Sequence, residues 1–238
     1  LFVIGGMISM TQMAELRDTQ LYLSITMFVA LTAVFYAAVL EARPDLYKLM
    51  FWAWTFAAMA TATLGILGYF CVFGGAFTLY DRAAGAFKDP NVFGPFLVLP
   101  CIFMLQRILA GPARGLPVYA GILIFISGGI FLSFSRGAWG LFALSVLLLV
   151  GAMFLHSASN LFRLRVIMMS VIALFLLAVA IIIVLQIPAV ADLFSSRAQL
   201  VQDYDASRLG RFARFGIGLQ LAMEHPLGIG PLNFGFLL

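Results

Sequence analysis

Three short stretches of this chain carry residue types that chemistry can use. The first is FKDPN, Phe87 to Asn91, where a Lys, an Asp, a Pro and an Asn adjoin an apolar run. The second is LSFSRGAWG, where Arg136 stands between two long apolar runs. The third is SRLGRFARFGIGLQLAMEHPLGIG, which holds Arg208, Arg211, Arg214 and His225. Arginine presents a planar fork of donors that matches phosphate oxygens, and lysine supplies a compact point charge. The chemistry on offer is the grip of a phosphorylated group at an apolar surface.

Each stretch also has a plainer explanation. Asp89 followed by Pro90 is good chemistry for a helix start, with Asp as the cap and Pro in the first turn. Lys88 then becomes an interfacial anchor whose stem lies along apolar surface. Arg136 at mid-bilayer would cost about 2.5–3.5 kcal/mol, and less at the edge, so a tight turn would hold it at the interface. A tight turn has little need of Arg, however, and Gly137 beside it admits close approach of a ligand or backbone. On a helix of about 100° per residue, Arg208, Phe212, Phe215 and Leu219 fall within about 60° of one another. Arg208 then lies on the apolar stripe, where a cation needs an anion, while Arg211 and Arg214 swing to its flank. The plain alternative is an interfacial amphipathic helix whose arginines touch lipid headgroups. Pro226 and Gly228 end that helix, and His225 either caps its last turn or takes part in catalysis. His156 reads as a loop residue. The sequence shows no metal-ligand spacing of His, Cys, Asp or Glu, no GxSxG, no P-loop and no dinucleotide fingerprint.

The elements that must position these residues are membrane spans. The chain has 238 residues, 63% hydrophobic and 10% charged, whereas soluble domains carry about 25% charged residues. Its mean hydropathy is +1.08, so apolar residues are not confined to one core. The net charge of +4 comes without a basic block, which excludes a nucleic-acid binder. Cys71 and Cys101 both lie in apolar runs and read as small hydrophobes rather than a disulfide. A span needs roughly 20 apolar residues. Leu21–Leu40, Leu49–Tyr80, Val92–Gln106, Leu116–Ser135, Gly137–Leu155 and Val166–Ile187 supply six, with a partial one at Leu1–Ala14. The second run is long enough for a tilted span with an interfacial extension, and the third must begin near Pro90. Pro188 ends the sixth. The predicted fold is an all-α, polytopic transmembrane helix bundle over 1–188. The segment 189–238 is the start of a large outer loop with an amphipathic helix. The chain opens inside LFVIGGMISM and stops after FGFLL, which predicts a piece of a longer membrane protein.

Short-loop cations set the orientation. One face receives Arg43, Lys48, Arg107, Arg114, Arg163 and Arg165. The other receives Arg17, Arg82, Lys88 and Arg136, diluted by Glu15, Asp18, Asp81 and Asp89. The first face is expected in the cytoplasm, which puts FKDPN, Arg136 and the tail together on the outer face.

In chain order, GAFKDPNVFGPFL, SFSRGAWG and SRLGRFARFGIGLQLAMEHPLGIGPLNF resemble the motifs of the O-antigen ligase and Wzy-type polymerase superfamily of bacterial membrane proteins. They match its G-x-F-x-[DN]-P-N, S-R-[GS]-[AG] and R-x-x-x-[WF]…hP-x-G-[IV]-G patterns across roughly Ala83 to Phe234. The resemblance implies a multi-pass protein of the bacterial inner membrane, with a GT-C-like fold and its active face in the periplasm. It implies an inverting glycosyltransferase that takes a glycan from an undecaprenyl-diphosphate carrier, without metal or cofactor. The acceptor would be a hydroxyl on lipid A-core, on another glycan or on a protein. Arg136 and Arg208 match the arginines thought to hold the diphosphate, with Arg211 beside them. Lys88 and Asn91 would line the lip where the lipid-linked substrate meets water. The family's His-Asn pair, whose His is a candidate base, is expected beyond Leu238. A transporter or flippase of lipid-linked glycans is the competing class, but it predicts charges inside spans rather than at their ends. A structural membrane subunit is the third.

Overall fold

Each of the six apolar runs forms a helix, because a backbone in hydrocarbon must satisfy its own polar groups. The computed structural model describes residues 2–13, 18–72, 74–157, 159–187, 194 and 211–236. The chain divides into two compact units, Leu1–Tyr47 with Gln199–Leu238, and Lys48–Ala198.

The first unit contains helices α1 (Phe2–Met10) and α2 (Thr19–Ala42), and returns at α8 (Arg211–Glu224) and a short 3-10 turn at Asn233–Phe236. The segment after α8 packs by close backbone approach. Gly228 and Gly230 have φ of +82° and +87°, and side chains there would strike Ser9 and Met13 respectively. The Thr19 hydroxyl donates to the Pro231 carbonyl at 3.4 Å. An open cavity of about 500 Å³ lies among Gly5, Ser9, Tyr22, Leu227 and Ile229.

The second unit contains α3 (Leu46–Tyr69), α4 (Pro90–Ala110), α5 (Leu116–Leu132), α6 (Arg136–His156) and α7 (Asn160–Val184). Phe93, Leu97, Cys101, Ile126, Ile130 and Phe134 form its core. Helix α3 meets that core through small residues, Ala58, Ala62 and Gly65. In membranes such stripes let helices approach closely enough for dispersion to hold them. Half of α4's apolar stretch is buried, against 28% for α3 and 6% for α6, so α4 is the centre of this unit.

The expectation of six full spans is met in part. Among the described residues α2, α3, α4 and α6 are long and apolar enough to cross a membrane, while α5 has only 17 residues. Helix α3 stops at Tyr69, eleven residues before the apolar run does. Beyond it Cys71, Gly74, Gly75 and Phe77 take positive φ, and the chain folds into a small antiparallel pair, β1 (Thr78–Leu79) with β2 (Arg82–Ala83). Hydropathy stays high through FCVFGGAFTLY, so the run's length overstated the helix. Helix α4 begins at Pro90 as expected, and α8 ends before Pro226. Pro188, Arg17 and Arg208 lie outside the described residues.

Candidate functional site

The site is built at the α4 start. Asp89 is extended, and its carboxylate accepts the Asn91 backbone N–H at 2.7 Å, with Pro90 in the first turn. The helix-start reading of FKDPN is therefore how the stretch folds, and it leaves the Asn91 side chain in the first turn of α4. That side chain has a partner the sequence did not announce. The Asn91 Oδ1 accepts from Arg82 Nη2 at 2.9 Å, and Arg82 Nε donates to the Ser133 carbonyl at 2.7 Å. Arg82 is 7% exposed, the one charged side chain among the described residues that is buried.

The chain can sink Arg82 this deep because small residues follow it. Ala83, Ala84 and Gly85 are all buried. Gly85 has a φ of +56°, and a Cβ there would lie 2.5 Å from the Thr61 hydroxyl and 2.8 Å from the Phe93 ring. The next amide, Ala86 N–H, donates to Thr61 Oγ1 at 2.9 Å. The loop is thus fastened to α3 on one side and to the start of α4 on the other.

The SFSR stretch is a folded turn. Ser133 Oγ donates to the Ile130 carbonyl at 2.6 Å and accepts the Ser135 N–H at 3.3 Å. Ser135 caps α6 by accepting the Ala138 N–H at 3.4 Å. The Trp139 indole donates back to Ile130 O at 3.2 Å. Between the serines, Phe134 adopts a φ of +44°, a conformation that costs a bulky residue about 1–3 kcal/mol. Its ring is buried, packed near Tyr69, Phe131 and Trp139, and that burial offsets the strain. Arg136 follows as the first residue of α6, half-buried. A helix N-terminus carries a positive partial charge. A cation there adds to it, and the combination favours an anionic ligand.

Lys88 and Asn91 are both exposed at the α4 start. Because Asn91 Oδ1 is committed to a cation, its amide nitrogen is the end left to donate. The structure joins Asn91 to the turn that presents Arg136, and Arg82 is the joint. Arg208 falls outside the described residues. Arg211 opens α8, with its side chain outside them too. Arg214 is exposed on α8, with Phe215 and Leu219 also exposed. His225 closes α8: its N–H donates to Leu221 O at 2.8 Å, and its carbonyl accepts from Gly228. Sequence reasoning counted Arg82 only as a loop charge. The signal was the Ala-Ala-Gly that follows it, residues small enough to draw a loop between helices.

Comparison with known proteins adds an independent line. The family model described as O-antigen ligase matches residues 121–237, a region that includes the Ser133–Ser135 turn, Arg136 and α8. No curated protein and no solved structure matches the chain. Residues 121–237 are thus similar to the O-antigen ligase family, in agreement with the motifs that the sequence carries there.

Proposed function

We propose that the protein transfers a glycan from undecaprenyl diphosphate to an acceptor hydroxyl, on lipid A-core or on another glycan, at the periplasmic face of a bacterial inner membrane. Residues 1–188 would form the membrane bundle and 189–238 the start of the periplasmic loop. The observation that carries this reading is a cation, Arg136, at the positive end of α6, inside the region matched by the O-antigen ligase family.

In this reading the acceptor oxygen attacks the anomeric carbon from the side opposite the diphosphate. The bond from that carbon to the phosphate oxygen breaks, and its electron pair leaves on the diphosphate. The hydroxyl proton passes to a general base, and the configuration inverts. Diphosphate is a good leaving group, so the protein's main task is to meet the charge that grows on the departing oxygen. Arg136 and Arg208 hold the diphosphate, with Arg211 and Lys88 adding positive charge and Asn91 donating a hydrogen bond. Ion pairing strengthens where water is excluded, so arginines at a membrane surface suffice without a metal. Burial of the prenyl tail along the apolar helices supplies binding.

The test is glycan transfer by the full-length protein with purified lipid-linked donor, read as release of undecaprenyl diphosphate. Arg136→Ala and Arg208→Ala are each expected to abolish release. Normal transfer by both variants refutes the clamp, and movement of donor across the bilayer without bond cleavage refutes the transferase.

A further inference from the structure

We propose that Arg82 is a positioning residue for this reaction. It holds the Asn91 carboxamide with its N–H groups toward the substrate and locks it to the turn that presents Arg136, so that α4 and α6 offer their donors to one diphosphate. The inference rests on the transferase reading above and adds to it a residue that never meets the substrate.

The geometry of the guanidinium carries the argument. Nε and Nη2 form one edge of a rigid plane. That edge reaches Ser133 O at 2.7 Å and Asn91 Oδ1 at 2.9 Å. The spacing between those two acceptors is therefore set by covalent geometry. Each acceptor lies at the root of a helix that carries a proposed donor. Asn91 is the second residue of α4, and Ser133 stands three residues before Arg136. Burial reinforces the lock. A guanidinium this deep is held by its hydrogen bonds, since breaking one leaves a desolvated donor unmatched. Helices α4 and α6 also approach closely beside it: a Cβ on Gly94 would lie 2.6 Å from Ala138 Cβ and 2.8 Å from Ser133 Oγ. Arg82 thus sits where a small movement of either helix would separate the donors.

The polarity of Asn91 follows from the same bond. With Oδ1 facing a cation, the carboxamide cannot turn over without setting its NH2 against the guanidinium. Arg82 therefore decides which end of Asn91 the substrate meets. Aspartate at this position would keep the partner and strengthen the bond, since a carboxylate is the better acceptor. It would also replace the outward donor with a negative oxygen.

The experiment uses the full-length protein, undecaprenyl-diphosphate-linked glycan as probe, and thermal melting of each variant alongside kcat and KM. Arg82→Lys keeps the charge and loses the two-pronged edge. It is expected to lower kcat roughly a hundredfold, the scale of an ångström-sized misplacement. Asn91→Ala is expected to do the same, and the double variant to be no slower than the slower single one, because both changes break one linkage. Multiplying effects overturn the proposal, as does a loss of activity that tracks the fraction of protein unfolded. Asn91→Asp keeps the bond to Arg82 and is expected to melt no lower than the parent while losing roughly a hundredfold in kcat; a parent-like rate in that variant overturns the proposal even if Arg82→Lys fails to fold. Arg136→Ala separates the two levels. If it is inactive while Arg82→Lys and Asn91→Asp turn over normally, the positioning role fails alone. If Arg136→Ala and Arg208→Ala transfer normally, the reading beneath it fails.

Discussion

Gly94→Ala is the substitution that tests the architecture most directly. The added Cβ would lie 2.6 Å from Ala138 Cβ and 2.8 Å from Ser133 Oγ. Carbon atoms in good contact stand about 3.5–4.0 Å apart, so α4 and α6 must separate by about 1 Å at this level. Neither neighbour yields easily, since one is attached directly to the α6 backbone and the other is tied to Ile130 O at 2.6 Å. Overpacking of this kind costs about 1–3 kcal/mol. Ala returns about 1 kcal/mol through its better helix propensity, leaving a net loss of up to about 2 kcal/mol. The rate should suffer more than the fold. A shift of about 1 Å draws Ser133 O away from Arg82 and turns Arg136, and misplacement on that scale costs about a hundredfold in rate. The assay pairs thermal unfolding in detergent with release of undecaprenyl diphosphate. Gly140→Ala is the control, because nothing lies within 4 Å of a Cβ there. Ala138→Gly in the Gly94→Ala background removes the nearer clash and should restore much of the rate. A Gly94→Ala protein with parental turnover would refute the claim that this crossing sets the site.

Other expectations follow from single contacts. Asp89→Ala removes the α4 cap and should cost about 1 kcal/mol of stability, read as a lower melting temperature; Asp89→Asn should recover most of it. Cys71 is exposed and Cys101 buried, so a membrane-impermeant maleimide on intact cells should label Cys71 alone. Labelling of Cys71 only from the cytoplasmic side would invert the proposed orientation. Gly230→Ala forces a side chain against Met13 at a φ of +87°, and it should expose the segment after α8 to proteolysis; resistance equal to the parent's would show that this packing does not hold it.

Much of the scaffold was legible because hydropathy and helix-start chemistry act locally. Asp89 and Pro90 marked the first residue of α4, and Arg136 marked the junction of two apolar runs that proved to be α5 and α6. The end of α3 was not legible from run length, because residues 70–80 stay apolar where the backbone leaves the helix. Gly74 and Gly75 were the only local warning. The candidate site was half legible. Asn91 and Arg136 stood out by residue type, since polar groups are few in such a chain. Arg82 did not, because its role depends on burial against Ser133 and Asn91, at separations of 51 and 9 residues. No local pattern encodes a guanidinium bridging two helix roots.

Helix α4 contains Pro95 and Pro100. Neither ring nitrogen bears a hydrogen, so the carbonyls of Asn91 and Phe96 lose their regular partners four residues on. Hydrocarbon offers no substitute donor, and an orphaned carbonyl facing acyl chains is costly. Such a helix is favoured where it packs on neighbours, because side chains or trapped water can there supply what the ladder lacks; half of α4's apolar stretch is buried in this way. The two imino acids thereby act as an address label: they turn the face of α4 that bears the orphaned carbonyls away from the lipid-facing perimeter.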